Sequence, residues 1–277
     1  MALTVHPNLV QGSEEWLEQR RGLITASAVG QLITTRTLGA IEFDCPACET
    51  SAGDPCVSVA KGKTGAVLKN MHPDRAEYAR QQNTTVITPA DGDYARNLTL
   101  VLAAERITGW SDPIRMTDDM WRGIDDEPKA RDVYSEHYAP VEQVGFMTED
   151  KWGFTLGYSP DGLVGDDGLI EIKSRRSKAQ LATILADEVP ADNMAQLQCG
   201  LLVSGRQWID YVSFCGGMPL YTKRVYPQPE WHTAIIQAAI AFEDTVAAMI
   251  RRYEHTTTNL PMTEREPEFT NTELKLA

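Results

Sequence analysis

The sequence predicts an α/β fold. Three observations carry that prediction: capped helical segments near the start, a block of short alternating strands after Pro140, and a return to helix, strand pair and long helix towards the end. The 277 residues, 42% of them hydrophobic, suffice for one sizeable core or two modest domains, and exclude a fibre or a wholly disordered chain. With 39 acidic against 26 basic side chains the formal net charge is -13. That balance excludes a cationic coat for non-specific nucleic-acid binding, yet allows positive charge confined to one groove. No uninterrupted apolar run approaches the roughly 20 residues of a membrane span. The start, MALTVHPNLVQGSEEW, has neither a basic leader nor an apolar signal stretch, so a cytoplasmic protein without membrane contact is expected.

The elements follow in order. GSEEWLEQRRGLITASAVGQLIT reads as a helix capped by Ser13, with Glu14 and Glu15 at its positive end, then a link and a second helix beginning at Thr25 or Ser27. From about 35 to 90 the pattern turns to Cys, Gly, Pro and short polar runs, which indicates an insertion, bounded at 40–90, between two core helices. DYARNLTLVLAAERITGW restores helix. Another helix covers 119–137, its beginning weakened by Gly123 and Pro128 and its most secure part running from Glu127 to Tyr134. VEQVGFMT, KWGFTLGYSPDGLVG and GLIEIKSR read as strands, the last two joined as an antiparallel hairpin through residues 165–168. Helices at 178–186 and 192–203, a strand pair in RQWIDYVSFC and PLYTKRVYP, and a helix over 230–252 complete one domain across 1–252. A flexible polar tail is expected over 253–277.

The chemistry concentrates in GYSPDGLVGDDGLIEIKSR. Asp161 follows one strand, while Glu171 and Lys173, two residues apart on the next, share a face, with Ile172 turned to the other face and into the core. Asp161, Glu171 and the Ile172 carbonyl offer hard oxygen ligands to Mg2+. Lys173 can orient a nucleophile or steady charge on a scissile phosphate. The plain alternative is a set of solvated hairpin charges, against which the flanking apolar residues of LIEIK argue.

Five cysteines, three of them within twelve residues, favour metal or free thiols over an extracellular disulfide framework. Cys45 and Cys48 form C-x2-C, and Cys56 and His72 can close a tetrahedral Cys3His site for structural Zn2+; reduced free cysteines are the alternative. The insertion has too few apolar residues to fold readily without such a staple. Lys61, Lys63, Lys69 and Arg75 give it local positive charge, equally suited to facing DNA or to solubility. Cys199 and Cys215 read as small core hydrophobes. The stretch from Cys45 to Arg75 also resembles small CPxC, GxPC and His-bearing elements of actinobacterial and actinophage proteins.

GSEEWLEQRRGLITAS, ARNLTLVLAAERITG, MWRGIDDEPKARDVY, SPDGLVGDDGLIEIKS and MAQLQCGLLVSGRQWIDYVSF, in that order, resemble the phage exonuclease or YqaJ-like viral recombinase branch of the PD-(D/E)XK nucleases. The resemblance implies a restriction-endonuclease-like core, a mixed central sheet flanked by helices, here carrying the zinc-binding insertion. It implies Asp161, Glu171 and Ile172 as Mg2+ ligands (Mn2+ as substitute), Lys173 as catalytic lysine, and Glu127 as a helical glutamate at the metal. Gln196 is the implied glutamine contributor, with Gln198 pointing elsewhere on the helix. Arg20 and Ser27 would bind a DNA-end phosphate, while Trp16 packs. Met194 stands where the family usually has an aromatic, which leaves the packing there open. The implied activity is a double-stranded DNA exonuclease, 5′-to-3′, leaving 3′ single strands for phage recombination in the host cell cytoplasm. A ring-shaped homo-oligomer such as a trimer and a single-strand annealing protein are the implied partners. A related endonuclease on the same fold and a non-catalytic zinc-containing DNA-binding scaffold are the competing readings.

Overall fold

The computed structural model describes residues 3–113 and 115–265. Strand β1 (Thr4–His6) is followed by α1 (Glu14–Arg20), where the Ser13 side chain accepts from the Trp16 N–H as its N-cap. β2 (Ile24–Thr25) leads directly into the short α2 (Ala26–Val29). β3 (Ile33–Thr37) then pairs antiparallel with β4 (Thr85–Pro89), and α3 (Pro73–Gln82) lies within the segment this ribbon encloses. The core resumes with α4 (Asp93–Thr108) and α5 (Asp118–His137). α5 begins at a Thr117 cap and runs unbroken through Pro128. Ile124, four residues earlier, is exposed, so water can serve the carbonyl that proline leaves without a donor.

β5 (Phe146–Glu149), β6 (Leu156–Tyr158), β7 (Gly162–Val164) and β8 (Gly168–Ser174) follow, then α6 (Ser177–Ala186), α7 (Ala191–Ser204), β9 (Trp208–Phe214), β10 (Tyr221–Val225) and α8 (Pro229–Thr257). The strands form two four-stranded sheets, ordered β1-β5-β6-β2 and β10-β9-β8-β7. Pairing is mixed: β2 with β6 and β8 with β9 are parallel, the rest antiparallel, including the β7–β8 and β9–β10 hairpins. This is the expected mixed α/β architecture, divided into two sheets rather than one. β1 and the β3–β4 ribbon answer to no local signal strong enough to mark them. Three residues at one end and a Thr-rich run become strands because β5 and β4 complete their hydrogen bonds.

α7 touches β5 and β6 of one sheet and β9 of the other, so its side chains from Leu197 to Ser204 are buried nearly all round. On the opposite face of β8, Ile170 and Ile172 pack with Ala130 and Tyr134 of α5 and with Val212. α8 is long and apolar enough, by length and composition, to cross a membrane, with a window of mean hydropathy 1.4 where no such run was expected. Its stripe from Ala234 through Phe242 to Val246 is instead buried in the core, packed beside α4, α7 and β4. The helix continues five residues beyond the expected end at 252; of the polar tail, residues 266–277 lie outside the described residues.

Candidate active site and metal centre

β6 belongs to one sheet and β7 to the other, so Ser159, Pro160 and Asp161 cross between the sheets. Asp161 therefore meets β8 at the top of the crossing, where the Ile172 N–H donates to its Oδ2 at 2.6 Å. The alternation of β8 sends Ile172 into the α5 cluster, while Glu171 and Lys173 turn towards α7 and Tyr158. Lys173 Nζ lies 2.8 Å from Glu171 Oε1 and 2.9 Å from Gln196 Oε1, and Gln196 Nε2 donates to Glu171 Oε1 at 2.5 Å. One amide thus binds both members of the ion pair. Gln198 faces away, accepting from the Gln228 N–H and donating to the Tyr226 carbonyl.

Glu127 reaches the same cavity, about 250 Å³ in volume, from α5. Arg131, one turn on, pairs with it and donates through Nε to the Asp161 carbonyl at 2.9 Å. Burial, and then the charges of Glu171 and Glu127, push the Asp161 carboxyl well above the usual carboxylate range. Burial raises Glu127 too, against the pull of Arg131. Burial disfavours the Lys173 ammonium, but Glu171 and Asp161 outweigh it and raise Lys173. Three carboxylates and a carbonyl in a buried cleft suit a hard divalent cation, whose charge would offset the burial and the mutual repulsion that raise Asp161. Without the ion each carboxylate has its own partner: Ile172 N–H, Lys173 with Gln196, or Arg131.

The cavity wall also carries Trp16, Arg20, Thr25 and Ser27. The Arg20 guanidinium lies 4.1 Å from the Trp16 ring, and its Nη2 reaches Thr25 Oγ1 at 3.3 Å and Ser27 Oγ at 3.4 Å. Trp16 is buried and its Nε1–H donates to Ser159 Oγ at 2.9 Å, tying α1 to the loop that delivers Asp161. Thr25, Arg131, Tyr158 and Ser159 are site neighbours that the sequence reading missed. Arg131 was accessible in principle, since it follows Glu127 by one helical turn; the others depend on tertiary contacts alone.

In the insertion, Cys45, Cys48, Cys56 and His72 place their ligand atoms within 4.8 Å of one another, and among the described residues no other Cys, His, Asp or Glu group is gathered as tightly. Three sulfurs and an imidazole nitrogen, two of the cysteines buried, fit a closed tetrahedral Zn2+ site. The Thr50 hydroxyl, 3.1 Å from Sγ, helps bring the Cys48 thiol down to about 5, favouring the ligating thiolate. The expectation that Arg75 contributes surface charge is wrong: its side chain is 0% exposed. It is enclosed because its donors are taken up by loop carbonyls. Cys199 and Cys215 are buried outside this centre.

Residues 89–207 match the family described as "YqaJ-like viral recombinase domain". Residues 11–91 match the one described as "Putative DNA-binding phage zinc finger domain". An alkaline exonuclease (LHK-Exo) from Laribacter hongkongensis has a similar fold, with a TM-score of 0.64 at 23% identity over 90% of this chain and 100% of that one. The structure of LHK-Exo in complex with dAMP gives 0.62 at 24%, with the same coverage. No curated protein matches the chain. One stretch of the chain is thus similar to YqaJ-like viral recombinase domains, another to phage zinc-finger domains, and the fold is similar to that of LHK-Exo.

Proposed function

We propose that the protein is a Mg2+-dependent double-stranded DNA exonuclease that works 5′-to-3′ and leaves 3′ single strands. The observation that carries this reading is one cavity shared by Glu127, Asp161, Glu171, Lys173 and Gln196, with Arg20, Thr25 and Ser27 on its wall. Asp161, Glu171, Glu127 and the Ile172 carbonyl would hold Mg2+, with Mn2+ able to substitute, and the ion would supply Lewis acidity to a phosphodiester and to its attacking water.

The chain's own groups have definable tasks. Lys173 has three N–H donors, of which Glu171 and Gln196 engage two, so one is left for a phosphate oxygen or for the attacking water. Gln196 holds the ammonium and the Glu171 carboxylate in fixed register. Arg131 steadies both Glu127 and the backbone of Asp161. Arg20, stacked on Trp16 beside two hydroxyls, presents a charged fork and neutral donors to a terminal phosphate.

The domain reading is a single exonuclease domain over 1–252 interrupted by the zinc-binding segment. On the same reading the protein acts in the host cytoplasm as a ring-shaped trimer and passes its product to a single-strand annealing protein; sedimentation with and without DNA tests the assembly. The activity is tested by digesting duplexes labelled separately at 5′ and 3′ ends with Mg2+, beside covalently closed circles and a Lys173→Met variant. Loss of label from 5′ ends alone is expected. Rapid cutting of circles would instead favour an endonuclease, and no digestion at all a DNA-binding scaffold.

A further inference from the structure

Among the described residues Arg75 is the largest fully buried side chain, and it sits three residues after the zinc-site ligand His72, in the first turn of α3. Every donor of its guanidinium is used. Nε donates to the Phe43 carbonyl at 2.8 Å; Nη1 to the Asp54 carbonyl at 2.7 Å and to Cys56 Sγ at 3.5 Å; Nη2 to the carbonyls of Ile41 at 3.2 Å and Ser51 at 2.9 Å. These partners include no carboxylate. A buried guanidinium surrounded by neutral carbonyls is costly unless a negative charge lies close by.

The Cys3His centre supplies one. Zn2+ held by three thiolates and a neutral imidazole keeps one net negative charge, which is the charge Arg75 balances. We infer that Arg75 is the outer-shell counter-charge of the zinc centre. It donates to the Cys56 sulfur while closing the loops of Ile41, Phe43, Ser51 and Asp54 around the metal. Zinc capture and closure of the insertion then become one event. The loaded centre neutralises a cation that would otherwise be buried alone, and the cation in turn holds a thiolate and four loop carbonyls in place. His72 and Arg75 arrive on the same helical turn, so α3 docks ligand and counter-charge together; the Arg75 N–H donates to the His72 carbonyl at 3.1 Å.

The test uses the full chain with Arg75→Met and Arg75→Lys. Zinc affinity is measured by competition with a chromophoric chelator. Arg75→Met should weaken it by about 10- to 100-fold, the usual effect of losing an outer-shell partner, and Arg75→Lys by less, because it keeps the charge. With Co2+ in place of zinc, the thiolate-to-cobalt charge-transfer band should move to longer wavelength in Arg75→Met, since a sulfur without its N–H donor releases an electron more easily. Melting should fall in the zinc-loaded protein and change little after the metal is stripped. Equal losses with and without metal, or an unmoved cobalt band, would reduce Arg75 to a loop clasp and overturn the inference. Wild-type protein that takes up no zinc would overturn it as well, at its premise. Should Arg75→Met fail to accumulate, Arg75→Lys decides: zinc affinity lowered by less than about 10-fold, with a larger loss of melting temperature in the zinc-loaded than in the stripped protein, supports the counter-charge role, whereas equal losses in the two states refute it.

Discussion

Lys173→Met removes one charge from the centre of the candidate site and keeps a side chain of similar length. The Lys173 side chain is 24% exposed and Glu171 only 2%, at a separation of 2.8 Å. Without the ammonium, Glu171 keeps the Gln196 amide and the Tyr158 hydroxyl, 3.3 Å away, but still feels its acidic neighbours. Removing one partner of a buried pair costs about 3–5 kcal/mol, and the partial exposure of Lys173 argues for the lower end. A domain of this size loses roughly 2–4 °C of melting temperature per kcal/mol, so the metal-free variant should melt on the order of 6–12 °C lower. Mg2+ would return a cation to the cluster and should narrow that gap, whereas digestion needs the ammonium itself and should fall by about 100-fold or more even in saturating Mg2+. Thermal unfolding in EDTA and in Mg2+, with single-turnover digestion of an end-labelled duplex, measures both effects. Unchanged melting in EDTA, or digestion at the wild-type rate, would refute the assignment of Lys173 as both counter-charge and catalytic group.

Arg20→Ala should slow digestion of 5′-phosphorylated ends by about 10- to 100-fold, as expected for a lost hydrogen bond to a charged group, and leave 5′-hydroxyl ends nearly unaffected; rates on the two substrates compared side by side check this. Because the folded-state pKa of Asp161 is raised, the metal-free fold binds an extra proton between the unfolded and folded values. Metal-free stability should therefore fall as pH rises through that window, while apparent Mg2+ affinity rises with pH; calorimetry in buffers of different ionisation enthalpy should register the released proton, and pH-independent binding would count against the site. A Cβ at Gly200 would sit 2.8 Å from the Tyr158 ring, so Gly200→Ala should cost about 1–3 kcal/mol in urea unfolding and lower activity by shifting the hydroxyl that faces Glu171. Arg131→Gln should weaken Mg2+ binding more than it weakens the fold, read by metal titration beside unfolding, since it frees both Glu127 and the Asp161 carbonyl.

The parts of the fold that local chemistry dictates were legible. The alternation of GLIEIKS separates Glu171 and Lys173 from Ile172, the Ser13 side chain caps α1, and the two-residue spacing of Gln196 and Gln198 sends one to the cavity and the other to the loop before α8. What escaped depends on partners distant in sequence. ITTRT carries a polar, loop-like pattern until TVITP lies beside it. Thr25 meets Arg20 from β2, whose place is set by pairing with the distant β6. Arg75 shows the limit most plainly. An arginine after a histidine and a proline reads as solvent-facing by type, and only the enclosing carbonyls and a ligating sulfur make burial tolerable.

The β3–β4 ribbon has a consequence for the chain as a polymer. Thr37 and Thr85 stand opposite one another in its last register pair, so the backbone leaves the core and re-enters it at a single point. To the two-sheet core everything between them is one long hairpin loop. The entropy of closing such a loop grows only with the logarithm of its length, and the ribbon's own hydrogen bonds offset it locally. Replacing residues 38–84 with a short two-residue turn should thus leave the two sheets and the Glu171 cavity folded, making the zinc-bearing segment a detachable graft on a self-sufficient scaffold.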